Sequence, residues 1–259
     1  MRRGIGRPRV AVVIPAGGRG TRLGGRVPKQ FMRLGGEPIL ATTVGQFVAH
    51  PAVVRVVVAA PRPHLARARR VLAHVSRRVT VDVVEGGSER QESVWRGLQA
   101  IPDDADIILV HDAVRPFVTR SLIDAVLDAT AETGAAVCAR PIAETVKRVE
   151  DGLVQQTVDR RGLWAVQTPQ GFSADLLREA LDKARRDGVV GTDDAMLVER
   201  LGHPVRVVPG LAQNMKITTP EDLRRARALS QSNRRAKTQP PAPRTSHPRR
   251  KATSQPPLQ

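Results

Sequence analysis

Residues 10–30 read VAVVIPAGGRGTRLGGRVPKQ, and this stretch decides the fold. It opens with five apolar residues, four of them Val or Ile, a pattern typical of a strand buried in a parallel sheet. A glycine-rich loop follows at once, and glycines can bring backbone N–H groups close to a ligand. Arg22 and Lys29 add positive charge to this loop. A strand, a glycine loop and two cations together predict a phosphate-binding site.

Two common phosphate-binding motifs do not match this loop. Gly20 and Gly25 have the separation of a Walker A motif, but Arg26 follows where that motif needs Lys. The dinucleotide fingerprint fits Gly18 and Gly20 but needs a third glycine where Leu23 stands. A glycine- and arginine-rich surface turn therefore remains the alternative to a phosphate site at this point.

Composition and charge narrow the class of protein. The 259 residues are 41% hydrophobic, which is sufficient for one large α/β domain or two small ones. Aromatic residues make up only 2%, so stacking platforms for single-stranded nucleic acid are scarce. Residues 1–9 and 230–259 hold 11 of the 42 Lys and Arg residues and no acid, so most of the net charge of +17 lies at the ends. The rest of the chain has 31 basic and 25 acidic residues, and its net charge of +6 suits a small anionic substrate.

The two ends are predicted to lie outside the folded domain. Residues 1–9 form a basic extension, residues 10–229 the domain, and residues 230–259 a disordered tail with too few large apolar residues to bury. Cys138 is the only cysteine, which fits a reducing compartment. The apolar run after Arg3 is too short for a signal peptide, and no run approaches the roughly 20 residues of a membrane span. The sequence therefore predicts a cytoplasmic protein with no membrane partner.

Strands and helices alternate along the domain, which predicts a mostly parallel sheet covered on both faces. In such sheets ligands bind at the carboxyl ends of the strands. Asp112 follows one of these strands, and Mg²⁺ commonly uses one or two carboxylates together with substrate phosphates. Asp112 is therefore the predicted metal ligand, with a structural Asp112–Arg115 pair as the alternative. After the first strand, apolar runs predict strands at residues 53–59, 79–84, 106–110 and 135–139.

Blocks of the chain resemble one family. Residues 15–30 look like the signature of nucleotidyltransferases that join a sugar or polyol phosphate to a nucleoside triphosphate. Within them, Pro28-Lys29-Gln30-Phe31 resembles the cytidylyltransferases acting on 2-C-methyl-D-erythritol 4-phosphate in the non-mevalonate isoprenoid pathway. Further blocks follow in the family's order, namely GGSERQESV (86–94), HDAVRP (111–116) and NMKITTPEDL (214–223). Val114 is a mild departure, since the family usually reads HDAARP. The resemblance implies one Rossmann-like nucleotidyltransferase domain with a protruding β-arm.

The resemblance also implies roles for particular residues. Those that would bind CTP are Ala16, Gly17, Gly18, Gly20, Gly87, Ser88, Ser93 and Ala113. Those that would be catalytic are Arg22 and Lys29 at the reacting phosphates, and Arg160 and Lys216 at the acceptor phosphate. Those that would bind the acceptor are Thr145, Arg160, Thr168, Thr192 and Lys216, with Mg²⁺ on Asp112. Read without the resemblance, Ser88 and Thr192 are helix N-cap candidates, and Lys216 is solvated surface.

Residues 140–170 interrupt the alternation of strands and helices. Two β-rich segments around Asp151-Gly152 predict a hairpin. The resemblance implies that this arm packs on a second subunit and supplies Thr145 and Arg160, giving a homodimer.

The implied reaction transfers CMP from CTP to 2-C-methyl-D-erythritol 4-phosphate and releases pyrophosphate. A ribitol 5-phosphate cytidylyltransferase is the nearer alternative. A nucleic-acid-binding protein that uses its basic ends is an alternative from another class, and it predicts strong, salt-sensitive binding.

Overall fold

The apolar strand at the start of the domain is buried along its whole length. The structure, a computed structural model, describes residues 8–18 and 27–238, with side chains described as far as residue 233. Side chains alternate between the two faces of a strand, so an entirely apolar strand needs packing on both faces. Both faces of this strand are covered by helices.

The elements have the following bounds. The strands are β1 (Val10–Pro15), β2 (Arg33–Leu34), β3 (Glu37–Pro38), β4 (Val53–Ala60), β5 (Thr80–Glu85), β6 (Ile107–Val110), β7 (Ala135–Pro141), β8 (Val146–Glu150), β9 (Leu153–Val158), β10 (Trp164–Ser173) and β11 (Arg206–Pro209). The helices are α1 (Ile39–Val48), α2 (Leu65–Leu72), α3 (Arg90–Gln99), α4 (Arg120–Thr133), α5 (Ala174–Arg186), α6 (Asp194–Glu199) and α7 (Pro220–Thr238).

The central sheet, within the described ranges, has seven strands in the order β11-β7-β10-β6-β1-β4-β5. β1 pairs in parallel with β4 and β6, β5 with β4, and β11 with β7. β10 runs antiparallel to both of its neighbours, β6 and β7. The predicted α/β fold with a mostly parallel sheet is confirmed. The carboxyl ends of β1, β4, β5 and β6 consequently lie along one edge of the sheet.

Most of the core of the described residues consists of two layers, one on each face of the sheet, and a smaller cluster includes Ile39 and Ile217. Val12 and Ile14 of β1 pack in the layer that includes apolar residues of α1, α2 and α4. Ala11 and Val13 pack in the layer that includes α3, α5 and α6. Gly97 allows α3 to approach β1 closely, because a Cβ there would lie 2.7 Å from a methyl carbon of Val13. This contact fixes α3 against the strand whose end carries the glycine loop.

The arm is a separate two-stranded sheet formed by β8 and β9. Its tight turn contains Asp151 at φ 49° and Gly152 at φ 79°, and this left-handed backbone is typical of such hairpins. The predicted hairpin around Asp151-Gly152 is confirmed. Three large apolar side chains on it are exposed, namely Val149, Leu153 and Val154.

The end of the domain differs from the prediction. α7 runs to Thr238, so the segment from Ser230 to Thr238, assigned to a disordered tail, is helical. Its apolar content is low, but Arg, Ala, Gln and Lys are favourable helix formers, and α7 is already nucleated at its packed N-terminal end. The predicted tail beyond residue 238 and most of the predicted basic extension lie outside the described residues. Among the helices described, none is long and apolar enough to cross a membrane.

Candidate active site

A cavity of about 580 Å³ opens at the carboxyl edge of the sheet. Its size is within the range of small-molecule sites. It is formed by the segments after β1, β5 and β6, by the start of α3 and by the segment before α7. The lining residues are Pro15, Ala16, Gly17, Gly18, Lys29, Gln30, Gly87, Ser88, Glu89, Arg90, Ser93, Asp112, Ala113, Val114 and Lys216.

Ten of the residues assigned from the sequence line this cavity. They are Ala16, Gly17, Gly18, Lys29, Gly87, Ser88, Ser93, Asp112, Ala113 and Lys216. Gly20 and Arg22, also assigned to the site, lie outside the described residues. The remaining four, Thr145, Arg160, Thr168 and Thr192, are described but are not among the residues that line the cavity.

The strand end and Lys29 form one wall of the cavity. Gln30 is buried, and its side-chain amide donates to the carbonyl of Ala16 at 2.8 Å, which ties the end of the glycine loop to β1. The Lys29 side chain passes close to Gly18, where a Cβ would lie 3.3 Å from Lys29 Cε. A side chain at Gly18 would crowd that lysine, so the glycine leaves room for it.

The turn before α3 forms the opposite wall. The Gly87 N–H donates to Ser93 Oγ at 3.0 Å, and Ser93 is buried. The Ser88 N–H and hydroxyl both donate to the Glu92 carboxylate, at 2.8 and 3.1 Å, so the helix N-cap is Glu89 and not Ser88. A Cβ on Gly87 would overlap the Glu92 side chain, so a larger residue there would displace the carboxylate that accepts from Ser88.

Asp112 lies among three cations at the base of the cavity. Its Oδ2 is 3.0 Å from Arg115 Nε and 3.1 Å from Lys216 Nζ. Its Oδ1 is 3.6 Å from Arg90 Nε. Burial alone would raise the pKa of the Asp112 carboxyl, but Lys216, Arg90 and Arg115 outweigh burial and hold that pKa well below its usual range. Asp112 is therefore ionised at neutral pH. The ion pair with Arg115, which was the alternative to a metal ligand, is present.

Lys216 is directed to this cluster by the packing of its neighbours. The adjacent Ile217 is fully buried, and its N–H donates to the carbonyl of Val114 at 3.0 Å. Arg115 donates to the carbonyl of Asn214 at 2.8 Å. The start of α7 is fixed by Asp222, which accepts from the N–H groups of Thr218 and Thr219. These contacts explain how a lysine from a distant segment comes to lie against Asp112.

Thr168, which was assigned to the acceptor, is not among the residues that line the cavity. It is buried, and its hydroxyl accepts from the Asp112 N–H at 3.0 Å and contacts His111 Nδ1 at 3.1 Å. The Arg115 carbonyl can only accept, so His111 Nε2 carries the proton and Thr168 donates to Nδ1. The Thr168 hydroxyl thus supports the backbone of Asp112 instead of facing the cavity.

The other acceptor residues are on the surface. Thr145 and Arg160 are exposed near the base of the arm, and Thr192 is exposed just before α6. Thr192 is not the N-cap of α6, because the Asp193 side chain accepts the Met196 N–H at 3.0 Å. Within one chain, the described residues that were assigned to the nucleotide thus line one cavity, whereas Thr145 and Arg160 do not line it.

Arg90 is a cavity residue to which the sequence analysis gave no role. Its Nη2 lies 2.7 Å from Asp194 Oδ2, and its Nε faces Asp112. Burial opposes its charge, but Asp194 and Asp112 raise the pKa of Arg90 above its ordinary value. The signal was present in the sequence, because Arg90 lies inside the GGSERQESV block.

The fold and the cavity define an α/β protein with a small-molecule cavity at the carboxyl edge of its sheet. The chain belongs to the 2-C-methyl-D-erythritol 4-phosphate cytidylyltransferase (IspD) family, whose model matches residues 10–232. It is 47% identical over 227 residues to the enzyme of that name from Symbiobacterium thermophilum, covering 87% of this chain and 94% of that one. It is 44% identical to the enzyme of the same name from Bacillus pumilus, covering 86% and 97%.

Solved structures agree with this assignment. The structure of 2-C-methyl-D-erythritol 4-phosphate cytidylyltransferase from Thermus thermophilus superposes with a TM-score of 0.72 at 39% identity, covering 86% of this chain and 99% of that one. The structure of 4-diphosphocytidyl-2C-methyl-D-erythritol synthase from Anaerococcus prevotii superposes with a TM-score of 0.76 at 27% identity, with the same two coverages. The predicted family is confirmed, and the family is one of nucleotidyltransferases.

Proposed function

We propose that this enzyme transfers CMP from CTP to 2-C-methyl-D-erythritol 4-phosphate, giving 4-diphosphocytidyl-2-C-methyl-D-erythritol and pyrophosphate. The observation that carries the proposal is the convergence of ten assigned residues, from blocks far apart in the sequence, on one cavity. Family membership and the names of the relatives support the same substrates.

In the proposed reaction a phosphate oxygen of the acceptor attacks the α-phosphorus of CTP. A P–O bond forms there, and the bond from the α-phosphorus to the oxygen it shares with the β-phosphorus breaks, releasing pyrophosphate. A phosphate monoester with a second pKa of about 6 is already largely ionised at neutral pH, so no general base is required. His111 is not a candidate base, because burial lowers its pKa to about 4 and both of its nitrogens are hydrogen-bonded inside the protein.

Catalysis in this proposal consists of positioning and charge stabilisation. Lys29 lines the cavity beside the glycine loop, and with Arg22 it would stabilise charge on the α-phosphate and the leaving pyrophosphate. Lys216, fixed against Asp112 at 3.1 Å, would bind the acceptor phosphate together with Arg160. The turn containing Gly87 and Ser88 would hold the nucleoside.

We also propose that the enzyme is a cytoplasmic homodimer in which the arm of each subunit reaches the partner's cavity. Val149 and Val154 are paired across the two strands of the arm and are 54% and 60% exposed, and adjacent exposed apolar residues are typical of interaction surfaces. Thr145 and Arg160 lie outside the cavity of their own chain, which supports their use by a second subunit.

Magnesium, the expected cofactor, does not fit Asp112 as its main ligand. Asp112 already has Arg115 and Lys216 on one oxygen and Arg90 beside the other, so a divalent cation there would meet three positive charges. We therefore retain Mg²⁺ only as a counter-ion of the CTP phosphates.

The Asp112→Asn variant separates a metal ligand from an ion-pair partner. We expect its half-saturating Mg²⁺ concentration to equal that of the wild type, while KM for the acceptor rises because Lys216 loses its partner. A higher half-saturating Mg²⁺ concentration in the variant would instead show that Asp112 is a metal ligand. Initial rates over a Mg²⁺ series and an acceptor series, both at saturating CTP, give the two quantities.

Pyrophosphate release tests the proposed function. The purified enzyme, with CTP and Mg²⁺, is given 2-C-methyl-D-erythritol 4-phosphate or ribitol 5-phosphate in separate reactions. We expect turnover with the erythritol phosphate at a kcat/KM far above that with ribitol 5-phosphate. Preference for ribitol 5-phosphate would favour the nearer alternative. Absence of turnover together with tight, salt-sensitive nucleic-acid binding would favour the other alternative.

A further inference from the structure

Asp194 is a buried carboxylate to which the proposed mechanism gives no role. It is the first residue of α6, it is 1% exposed, and its ion-pair partner among the described residues is Arg90. It does not cap the helix, because Asp193 does so. Burying a carboxylate is costly unless it is paired, so the position of Asp194 implies that the pair with Arg90 matters.

Arg90 lies between two carboxylates and is closer to one of them. Its Nη2 is 2.7 Å from Asp194, whereas its Nε is 3.6 Å from Asp112. Lys216 Nζ is 3.1 Å from the same Asp112 carboxylate. Arginine forms its strongest contacts with a carboxylate through two parallel hydrogen bonds. An Arg90 side chain without Asp194 would therefore turn to Asp112 and compete there with Lys216.

We propose that Asp194 is a positioning residue that draws the Arg90 guanidinium away from Asp112, so that Asp112 keeps Lys216 in place. The inference rests on the proposed function, in which Lys216 binds the acceptor phosphate. Asp194 acts through Arg90 and does not itself line the cavity. Loss of Asp194 should therefore weaken binding of the acceptor and leave binding of CTP unchanged.

The backbone around Asp194 is held independently of this ion pair. The Gln170 side-chain oxygen accepts from the N–H groups of Asp194 and Ala195, both at 3.2 Å. The Gln91 side chain donates to the carbonyl of Val189 at 3.0 Å and accepts from the Gly191 N–H at 2.8 Å. An Asn at position 194 would keep the side-chain shape and these backbone contacts, so the substitution removes mainly the charge.

The first test compares two Asp→Asn variants. For Asp194→Asn we expect KM for 2-C-methyl-D-erythritol 4-phosphate to rise about tenfold, while the Kd for CTP, measured by calorimetry without acceptor, changes less than about twofold; a tenfold change corresponds to about 1.4 kcal/mol. The matched control is Asp187→Asn, since Asp187 makes ion pairs with Lys183 and Arg200 at the surface. The control should leave both constants unchanged. Equal losses in CTP and acceptor binding for Asp194→Asn would overturn the proposal.

A double-mutant cycle shows whether Asp194 acts through Arg90. Arg90→Gln removes the side chain that competes for Asp112. In that background, Asp194→Asn should cause no further rise in KM for the acceptor. If the two effects add, Asp194 acts by another route and the proposal fails.

A crystal structure of the Asp194→Asn variant without substrates gives a readout that does not depend on turnover. We expect the Arg90–Asp112 distance to shorten from 3.6 Å to hydrogen-bond length, about 3 Å, and Lys216 to leave Asp112. An unmoved Arg90 would overturn the proposal even in an active enzyme. If the wild-type enzyme does not transfer CMP, the proposed function is wrong. The position of Arg90 in the variant would still show whether Asp194 draws Arg90 away from Asp112.

Discussion

The cavity and the arm are opposite kinds of structure in one chain. At the cavity, Asp112 has three cations within 3.6 Å and is nearly fully buried. On the arm, Leu153 and Val154 are exposed, and Arg160 at its base has no ion pair among the described residues. Charges at the cavity are organised by the chain's own packing, whereas the arm presents apolar surface and a cation to the outside.

The proposed site has two halves, one that would bind the nucleotide and one that would bind the acceptor, and they differ in how they are assembled. The nucleotide half is assembled from segments at the edge of one sheet, so folding of one chain is sufficient to form it. The acceptor half contains Lys216 inside the cavity and Thr145 and Arg160 outside it. In the proposed dimer, association of two chains would complete this second half. The following predictions test that division, from the largest expected effect to the smallest.

Lys29→Ala should cause the largest loss. We expect turnover to fall about 10²-fold or more, as is typical when one preorganised charge donor is removed. Arg22→Ala should lose a similar amount. The free energy of unfolding should change by no more than about 1 kcal/mol, because Lys and Arg side chains are rarely part of an apolar core.

Steady-state kinetics and urea unfolding check this prediction, with Lys183→Ala as the control. Lys183 pairs with Asp187 on the solvent side of α5, so its loss should affect neither quantity. Near-normal turnover in Lys29→Ala would remove this residue from the catalytic assignment.

Mild acid should destabilise the base of the cavity. His111 has an ordinary pKa of 6.5, which burial lowers to about 4 in the folded protein. Between these values the unfolded chain binds a proton that the folded protein does not, so stability is lost as pH falls below 6.5. From pH 6.5 to 5 this loss is on the order of 1–2 kcal/mol, because the slope approaches 1.36 kcal/mol per pH unit only once the unfolded chain is fully protonated.

Urea unfolding of the wild type and of His111→Gln at pH 6.5 and pH 5 measures this contribution. The variant is expected to be less stable at both pH values, because it loses contacts with Thr168 and Arg115. Its stability should nevertheless fall less between them than that of the wild type. The same fall in both proteins would show that His111 is not the group responsible.

Mixing two inactive variants tests whether the acceptor half is shared between subunits. Arg160→Ala and Lys216→Ala should each be nearly inactive as homodimers. If Arg160 serves the partner's cavity, half of the randomly paired dimers are mixed, and each mixed dimer has one site with both residues intact. The mixture should therefore recover about a quarter of wild-type activity, by counting sites in a symmetric dimer.

The measurement requires equal amounts of the two variants, refolded together, and proof of subunit exchange, for example with differently labelled chains. A mixture as inactive as its parents, despite exchange, would assign both residues to one chain's site. The proposed chemistry would be unaffected by that result.

Truncation should have the smallest effect. Residues 239–259 contain a single large apolar residue, Leu258, so they can contribute little to a core. Removing them should leave turnover and the melting temperature unchanged. Removing residues 230–259 also deletes the end of α7, where residues 231–233 are exposed, and should lower the melting temperature only slightly. A large drop for the shorter deletion would contradict this assignment.

The sequence alone was sufficient for the fold class and for most of the residues that line the cavity. β5, the Gly86-Gly87 turn and the start of α3 follow one another in the chain, and local composition specifies each of them. Because parallel strands direct their carboxyl ends to one edge, residues after β1, β5 and β6 could be expected to meet there. Ala16, Gly87 and Asp112 do line the same cavity.

Only the tertiary structure decided what surrounds these residues. Asp112 was assigned to a metal because it follows a buried strand. Its ion-pair partners Arg90 and Lys216 come from segments that no local pattern connects to it. Thr168 was assigned to the acceptor, yet packing places its hydroxyl beneath Asp112. The backbone pattern of a strand or a loop depends on nearby residues, whereas the charge around a buried carboxylate depends on which distant segments pack against it.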